Sequence, residues 1–176
     1  MVDPAGHPLF SPLPEGAHPD LAPLAALIGT WSGEGVGRDP ERDEDFAFDQ
    51  TLSFTPLEDK PVLGYQARIW RSDTNEPLTT EVGFWRPAGP TTVEVMLAHP
   101  TGLVEIYVGD LAPTATGLKI DLSDNVTART ATARPVERSQ RLYGLVEGDL
   151  AYVAETKEAG EAEPTPRLSA KLTRVD

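Results

Sequence analysis

Gly29-Thr30-Trp31-Ser32-Gly33-Glu34-Gly35, with Val36-Gly37 behind it, constrains the fold more than any other stretch. Glycines alternate with one tryptophan and small residues, directly after a short apolar run. A strand takes that composition where another backbone or a bulky planar group must come very close, since a Cβ would block the approach. The segment therefore reads as the first strand of a closed β-barrel, a fold whose interior can enclose a pocket.

The remainder of the chain keeps a period of two. Phe46 and Phe48, then Leu52 and Phe54, sit on alternate positions. Val93, Val95 and Leu97 alternate with Glu94, Met96 and Ala98; Val104, Ile106 and Val108 with Glu105 and Tyr107; Leu118, Ile120 and Leu122 with Lys119 and Asp121. Such alternation marks half-buried antiparallel strands. Turn chemistry separates them at Asp59-Lys60-Pro61, Asp73-Thr74-Asn75, Ala88-Gly89-Pro90, His99-Pro100-Thr101-Gly102, Asp124-Asn125 and Glu147-Gly148-Asp149. The expected fold is all-β, an up-and-down antiparallel barrel of about ten strands of the lipocalin or fatty-acid-binding-protein kind. Upstream, Leu21, Leu24, Ala25 and Ile28 recur at helical spacing with Asp20 as a cap. This predicts a short helix ending at Gly29 and plugging one end of the barrel. Residues 1–17, rich in Pro and Gly, read as a flexible arm, and residues 18–176 as the barrel domain.

Composition limits the partners. At 176 residues the chain is long enough for one core without disulfides, and it has no cysteine, which removes thiolate metal sites and cysteine nucleophiles. A net charge of −13 opposes attraction to nucleic acid or anionic membrane, so neither partner is expected. Met1-Val2-Asp3-Pro4 has no basic start or apolar stretch of a signal peptide, and no run approaches the ~20 apolar residues of a membrane span. The expectation is a cytoplasmic protein.

Motifs of catalysis are missing. There is no nucleophile elbow and no phosphate loop, the three histidines are too dispersed for a local metal motif, and Asp43-Glu44-Asp45 reads as a solvated acidic loop. Trp31, Trp70 and Trp85 with Phe46, Phe48, Phe54 and Phe84 read as core before they read as a stacking surface. His99 opens a tight turn and reads as structural or surface rather than as a ligand.

Four separated segments resemble the nitrobindins. They are Leu27 to Gly35, Gly83-Phe84-Trp85-Arg86-Pro87, Val93 to Glu105 with its Ala98-His99-Pro100-Thr101-Gly102, and Arg141-Leu142-Tyr143-Gly144-Leu145-Val146. Gly29, Trp31, Gly33 and Gly35 carry the Gly-x-Trp-x-Gly-x-Gly signature. The resemblance implies a ten-stranded barrel that holds ferric haem through one proximal histidine, reacts with nitric oxide and isomerises peroxynitrite to nitrate. It also implies that Phe46 and Leu78 line the pocket wall.

This chain departs from the family at the ligand. Where the family has Pro-His-Leu-(Ser or Ala)-Ala, it reads Pro166-Arg167-Leu168-Ser169-Ala170. A guanidinium stays protonated and offers iron no lone pair. Where the family has Tyr-Pro-Thr, the chain has Asp39-Pro40-Glu41. Strand parity puts Arg167 on the solvent side with Ser169 and Lys171, whereas the resemblance puts it in the pocket, where it needs a carboxylate partner or an anionic ligand; Glu41 is the candidate partner. The expectation is therefore a non-enzymatic barrel with no catalytic residues, no metal and no cofactor, binding a small apolar or anionic molecule through Arg167. The alternative is ferric haem held by another donor with its nitric oxide and peroxynitrite chemistry kept.

Overall fold

The computed structural model describes residues 12–39 and 41–175, less the side chains of residues 124 and 125. Ten strands follow one 3-10 helix: β1 Gly29–Asp39, β2 Glu44–Pro56, β3 Leu63–Arg71, β4 Pro77–Pro87, β5 Thr92–Ala98, β6 Leu103–Thr114, β7 Gly117–Arg129, β8 Val136–Val146, β9 Asp149–Glu158 and β10 Thr165–Arg174. All neighbours are antiparallel and consecutive, and β1 pairs with β10 to close the barrel. Closure removes both sheet edges, which an open ten-stranded sheet would leave to aggregate.

The glycine strand works as its composition predicts. A Cβ on Gly33 would collide with the Lys171 carbonyl and lie 2.9 Å from the Leu172 Cα, so β10 can approach only because β1 is bare there. At Gly35 and Gly37 the space belongs to the rings of Phe48 and Phe46, which lean across β1 from β2.

The helix spans Pro19–Leu27 and is capped by His18, not by the expected Asp20: the His18 Nδ1 accepts from the Asp20 backbone N–H at 3.2 Å. It buries Leu21, Leu24 and Leu27 completely, each worth about 1.5–3 kcal/mol. At its end Gly29, at φ +132°, turns the chain into β1. The Trp31 Nε1–H donates to the Leu27 carbonyl at 2.8 Å, and Arg174 lies 4.4 Å over the Trp31 ring while donating to the Ala26 carbonyl at 2.8 Å. The helix thus seals the end where β1 begins and β10 finishes. Residues 1–11 of the expected arm lie outside the described residues; Leu13 and Ala17 pack against the core.

Three sequence readings change. Asp124-Asn125 is not a turn but lies within β7, because pairing with β6 carries the strand through residues with weak β preference; the connections on either side are 115–116 and 130–135. On β6 the apolar residues Val104, Ile106 and Val108 face outward, and Glu105 and Tyr107 are buried inside. Phe84 likewise faces out. Near the plug the lumen is filled by aromatic rings: Trp85 meets Phe54 and Tyr143 edge-on at 5.2 Å each, and Tyr143 stacks on Tyr152 at 5.3 Å.

Candidate functional site

At the end opposite the plug, where β1 finishes and β10 begins, a cavity of about 310 Å³ opens between the strands. That is near the lower limit of small-molecule sites, ~300–1,000 Å³. A larger groove of about 610 Å³ runs over the outer wall past Val82, Phe84 and Val104, but no charged side chain lines it. The inner cavity has convergent polar groups and an apolar wall of Phe46, Leu103, Val136, Ala154 and Leu168.

Its floor is a buried charge network. The Arg141 guanidinium, on β8, donates to both Glu81 oxygens at 2.8 and 2.9 Å, to Glu105 at 3.3 Å and to the Tyr107 hydroxyl at 3.2 Å. Glu81 also accepts from the Tyr65 hydroxyl at 3.1 Å. His99 stands between the carboxylates, its Nε2 2.8 Å from Glu105 and its Nδ1 3.7 Å from Glu81. Burial pushes the Glu105 carboxyl up, but the His99 bond and the Arg141 charge outweigh it and hold it at about 2. Burial likewise opposes ionisation of Glu81, and Arg141 reverses it. Burial works against the Arg141 charge too, but Glu81 and its neighbours keep the guanidinium strongly cationic. Both carboxylates therefore have their hydrogen-bond partners within the floor.

The mouth carries three more arginines. Arg38 is held by Asp43 and Asp45, which both stay largely exposed, so the acidic loop is solvated and also supplies ion-pair partners. Arg134 pairs with Glu158 at 2.9 Å and reaches Glu41 at 3.7 Å. Arg167 lines the cavity at 15% side-chain exposure, its Nε donating to Thr156 Oγ1 at 3.0 Å and its Nη2 to Glu161 at 2.8 Å. The parity conflict is resolved by a bulge: Pro166 pairs with Glu155 and Leu168 with Ala154, leaving Arg167 the extra residue. A bulge at a barrel rim re-aims a side chain, so Arg167 and Leu168 both reach the cavity.

Of the residues expected to line the pocket, Phe46 and Arg167 do so. Leu78 is 38% exposed and does not; it lies one residue from Thr79, which takes the inward position at the start of β4. Glu41 is not the partner of Arg167; the β9–β10 turn brings Glu161 closer, and Glu41 faces Arg134. His99, read as structural or surface, lines the cavity. Arg38, Glu81, Glu105, Arg134 and Arg141 were not singled out from the sequence. A signal existed for three of them: Glu81, Glu105 and Arg141 each stand two or four positions from a buried aromatic residue of their strand, at inward parity.

The chain matches the model of the THAP4-like, heme-binding beta-barrel domain over residues 20–174. It belongs to that family. A peroxynitrite isomerase of a Parafrankia species is 48% identical over 89% of this chain and 80% of its own length. A peroxynitrite isomerase of Frankia casuarinae is 49% identical over 90% and 87%. A ferric nitrobindin-like protein of Kineococcus radiotolerans is 41% identical over 88% and 93%. The crystal structure of Rv2717c from M. tuberculosis superposes with a TM-score of 0.84 at 30% identity, over 91% of this chain and 99% of that one. These relatives correct one expectation. A non-enzyme was inferred from Arg167 at the ligand position, with Asp39-Pro40-Glu41 as a second departure, yet proteins sharing nearly half their residues with this chain are named for an enzymatic activity.

The family description names haem, and the donor set tests it. Haem iron takes a neutral imidazole, a thiolate, a thioether or a phenolate. Among the described residues lining the cavity, His99 is the sole imidazole, and both its ring nitrogens face carboxylates; no Cys, Met or Tyr lines the space. Arg167 cannot ligate. These residues do not fit an iron-ligating site. No helix among the described residues is long and apolar enough to cross a membrane.

Proposed function

We propose that the cavity binds a small molecule with an apolar body and an anionic group, the anion held by Arg167 and the body against Phe46, Leu103 and Leu168. The observation that carries this reading is the bulge at Arg167, which turns a permanent cation into the cavity beside the apolar wall of Phe46 and Leu168. The floor carboxylates are already engaged by Arg141 and His99. Among the described residues nothing accepts from the Arg167 Nη1, which leaves donors for a guest. A charge-assisted bond of this kind is worth about 1.5–3 kcal/mol. Peroxynitrite, for which the relatives are named, is itself an anion, the class of guest that Arg167 attracts.

The test uses anilinonaphthalene sulfonate and its uncharged counterpart phenylnaphthylamine as fluorescent probes of wild type and Arg167→Gln. Loss of the cation weakens the sulfonate about tenfold or more and leaves the amine within about twofold. Equal affinity of both proteins for the sulfonate refutes the reading. Stopped-flow decay of peroxynitrite with the same two proteins reads whether the reaction depends on Arg167.

A further inference from the structure

Arg167 already holds a carboxylate, and the way it holds it differs from every other arginine of the cavity. Arg38 faces two carboxylates, Asp43 and Asp45; Arg134 faces Glu158 and Glu41; Arg141 faces Glu81 and Glu105. Among the described residues Arg167 faces one, Glu161, and its second partner is the neutral Thr156 hydroxyl. We propose that Glu161 is an internal stand-in for the acidic group of the ligand: an incoming carboxylate takes its place on Arg167, and Glu161 thereby sets both affinity and ligand class. This rests on the reading of the cavity as an anion site.

The geometry suits an exchange. Glu161 lies in the turn 159–164 between β9 and β10, outside the barrel ladders, and its side chain is 32% exposed, against 15% for Arg167. One of its oxygens accepts from Arg167 at 2.8 Å and the other from the Glu158 backbone N–H at 2.7 Å. The turn is held separately by backbone bonds from Glu161 to the Glu158 carbonyl at 3.1 Å and from Ala159 to the Pro135 carbonyl at 3.3 Å. Rotating one side chain into water therefore frees the Nη2 donors while the turn stays closed. Thr156 keeps the guanidinium plane in place throughout, because it accepts from Nε and not from the exchanging edge.

The same geometry selects the guest. A carboxylate matches the terminal edge of the guanidinium, of which Glu161 holds Nη2 through one oxygen, and the wall beside it is apolar. The favoured class is a monocarboxylic acid with a compact apolar body, sized to about 310 Å³. An uncharged analogue cannot displace Glu161, so it gains nothing from the exchange.

Isothermal titration calorimetry with naphthoate and naphthylmethanol tests this on the full chain. In Glu161→Gln the internal competitor loses its charge, and naphthoate binds about two- to fivefold tighter, the range of a part-exposed ion pair. Naphthylmethanol is unchanged. In the double variant Glu161→Gln with Arg167→Gln, the gain disappears relative to Arg167→Gln alone. Unchanged naphthoate affinity in Glu161→Gln, or an equal gain for both compounds, overturns the proposal. Naphthoate binding that ignores Arg167→Gln overturns the anion site itself, which separates the two failures. Circular dichroism of each variant confirms a folded barrel.

Discussion

Arg141→Met removes the cation from the floor while keeping a long side chain in the barrel. Arg141 is 6% exposed, between Glu81 at 4% and Glu105 at 1%, so the variant leaves two buried carboxylates facing each other. Glu81 keeps the Tyr65 hydroxyl and Glu105 keeps His99, but five bonds at 2.8 to 3.5 Å are lost. Removing one side of a buried pair costs about 3–5 kcal/mol. Glu105, held at about 2 by the His99 bond and then by the Arg141 charge, keeps the first of these and loses the second. At about 2–4 °C per kcal/mol for a domain of this size, the melting temperature drops by about 6–20 °C. The pH dependence gives the sharper signature. In wild type both carboxyls sit below their ordinary value, so the stability they contribute is present above the ordinary range. It is lost as pH falls towards the folded values. In Arg141→Met the like charges and burial raise the folded values above the ordinary range, and the folded state then gains stability as pH falls. Melting curves by circular dichroism from neutral pH downward therefore show a gap that is widest at neutrality and closes in acid. Converting Glu81 and Glu105 to Leu in the same protein restores most of the loss, because no buried carboxylate is then left without its cation. A gap under about 1 kcal/mol at neutral pH, or one indifferent to pH, would refute the assignment of the network as a coupled ion cluster.

Two further outcomes follow from the rim and the closing strand. Gly33→Ala places a methyl group against the Lys171 carbonyl and the Leu172 Cα, both backbone atoms of β10 that cannot rotate away; a loss of about 1–3 kcal/mol in urea unfolding is expected, and a neutral variant would show that β10 can recede. Arg167→His puts an imidazole on the bulged position of the cavity rim; titration with haemin should give a Soret change that survives desalting, and its absence would mean that more than the ligand has changed.

How much was legible depended on which residues carried the signal. The barrel was readable because Trp31, Gly33 and Gly35 and the alternating runs of β2, β5 and β7 state their geometry locally. The sense of β6 was not, since polarity assigned Val104, Ile106 and Val108 to the core while Glu105 and Tyr107 occupy it. Burial of Glu105 makes sense only beside Arg141, 36 positions away along the chain. The carboxylate partners of His99 were hidden for the same reason, arriving from β4 and β6.

Arg167 shows the division most clearly. Its chemistry came from the sequence alone: a guanidinium is charged and cannot ligate iron, whatever surrounds it. Its direction did not, because a strict period of two points it to solvent and one unpaired residue between Pro166 and Leu168 reverses that. Residue type and local period are written in the covalent chain, whereas a bulge depends on how β10 registers against β9. Only the closed barrel decides that register, and with it what the cation faces.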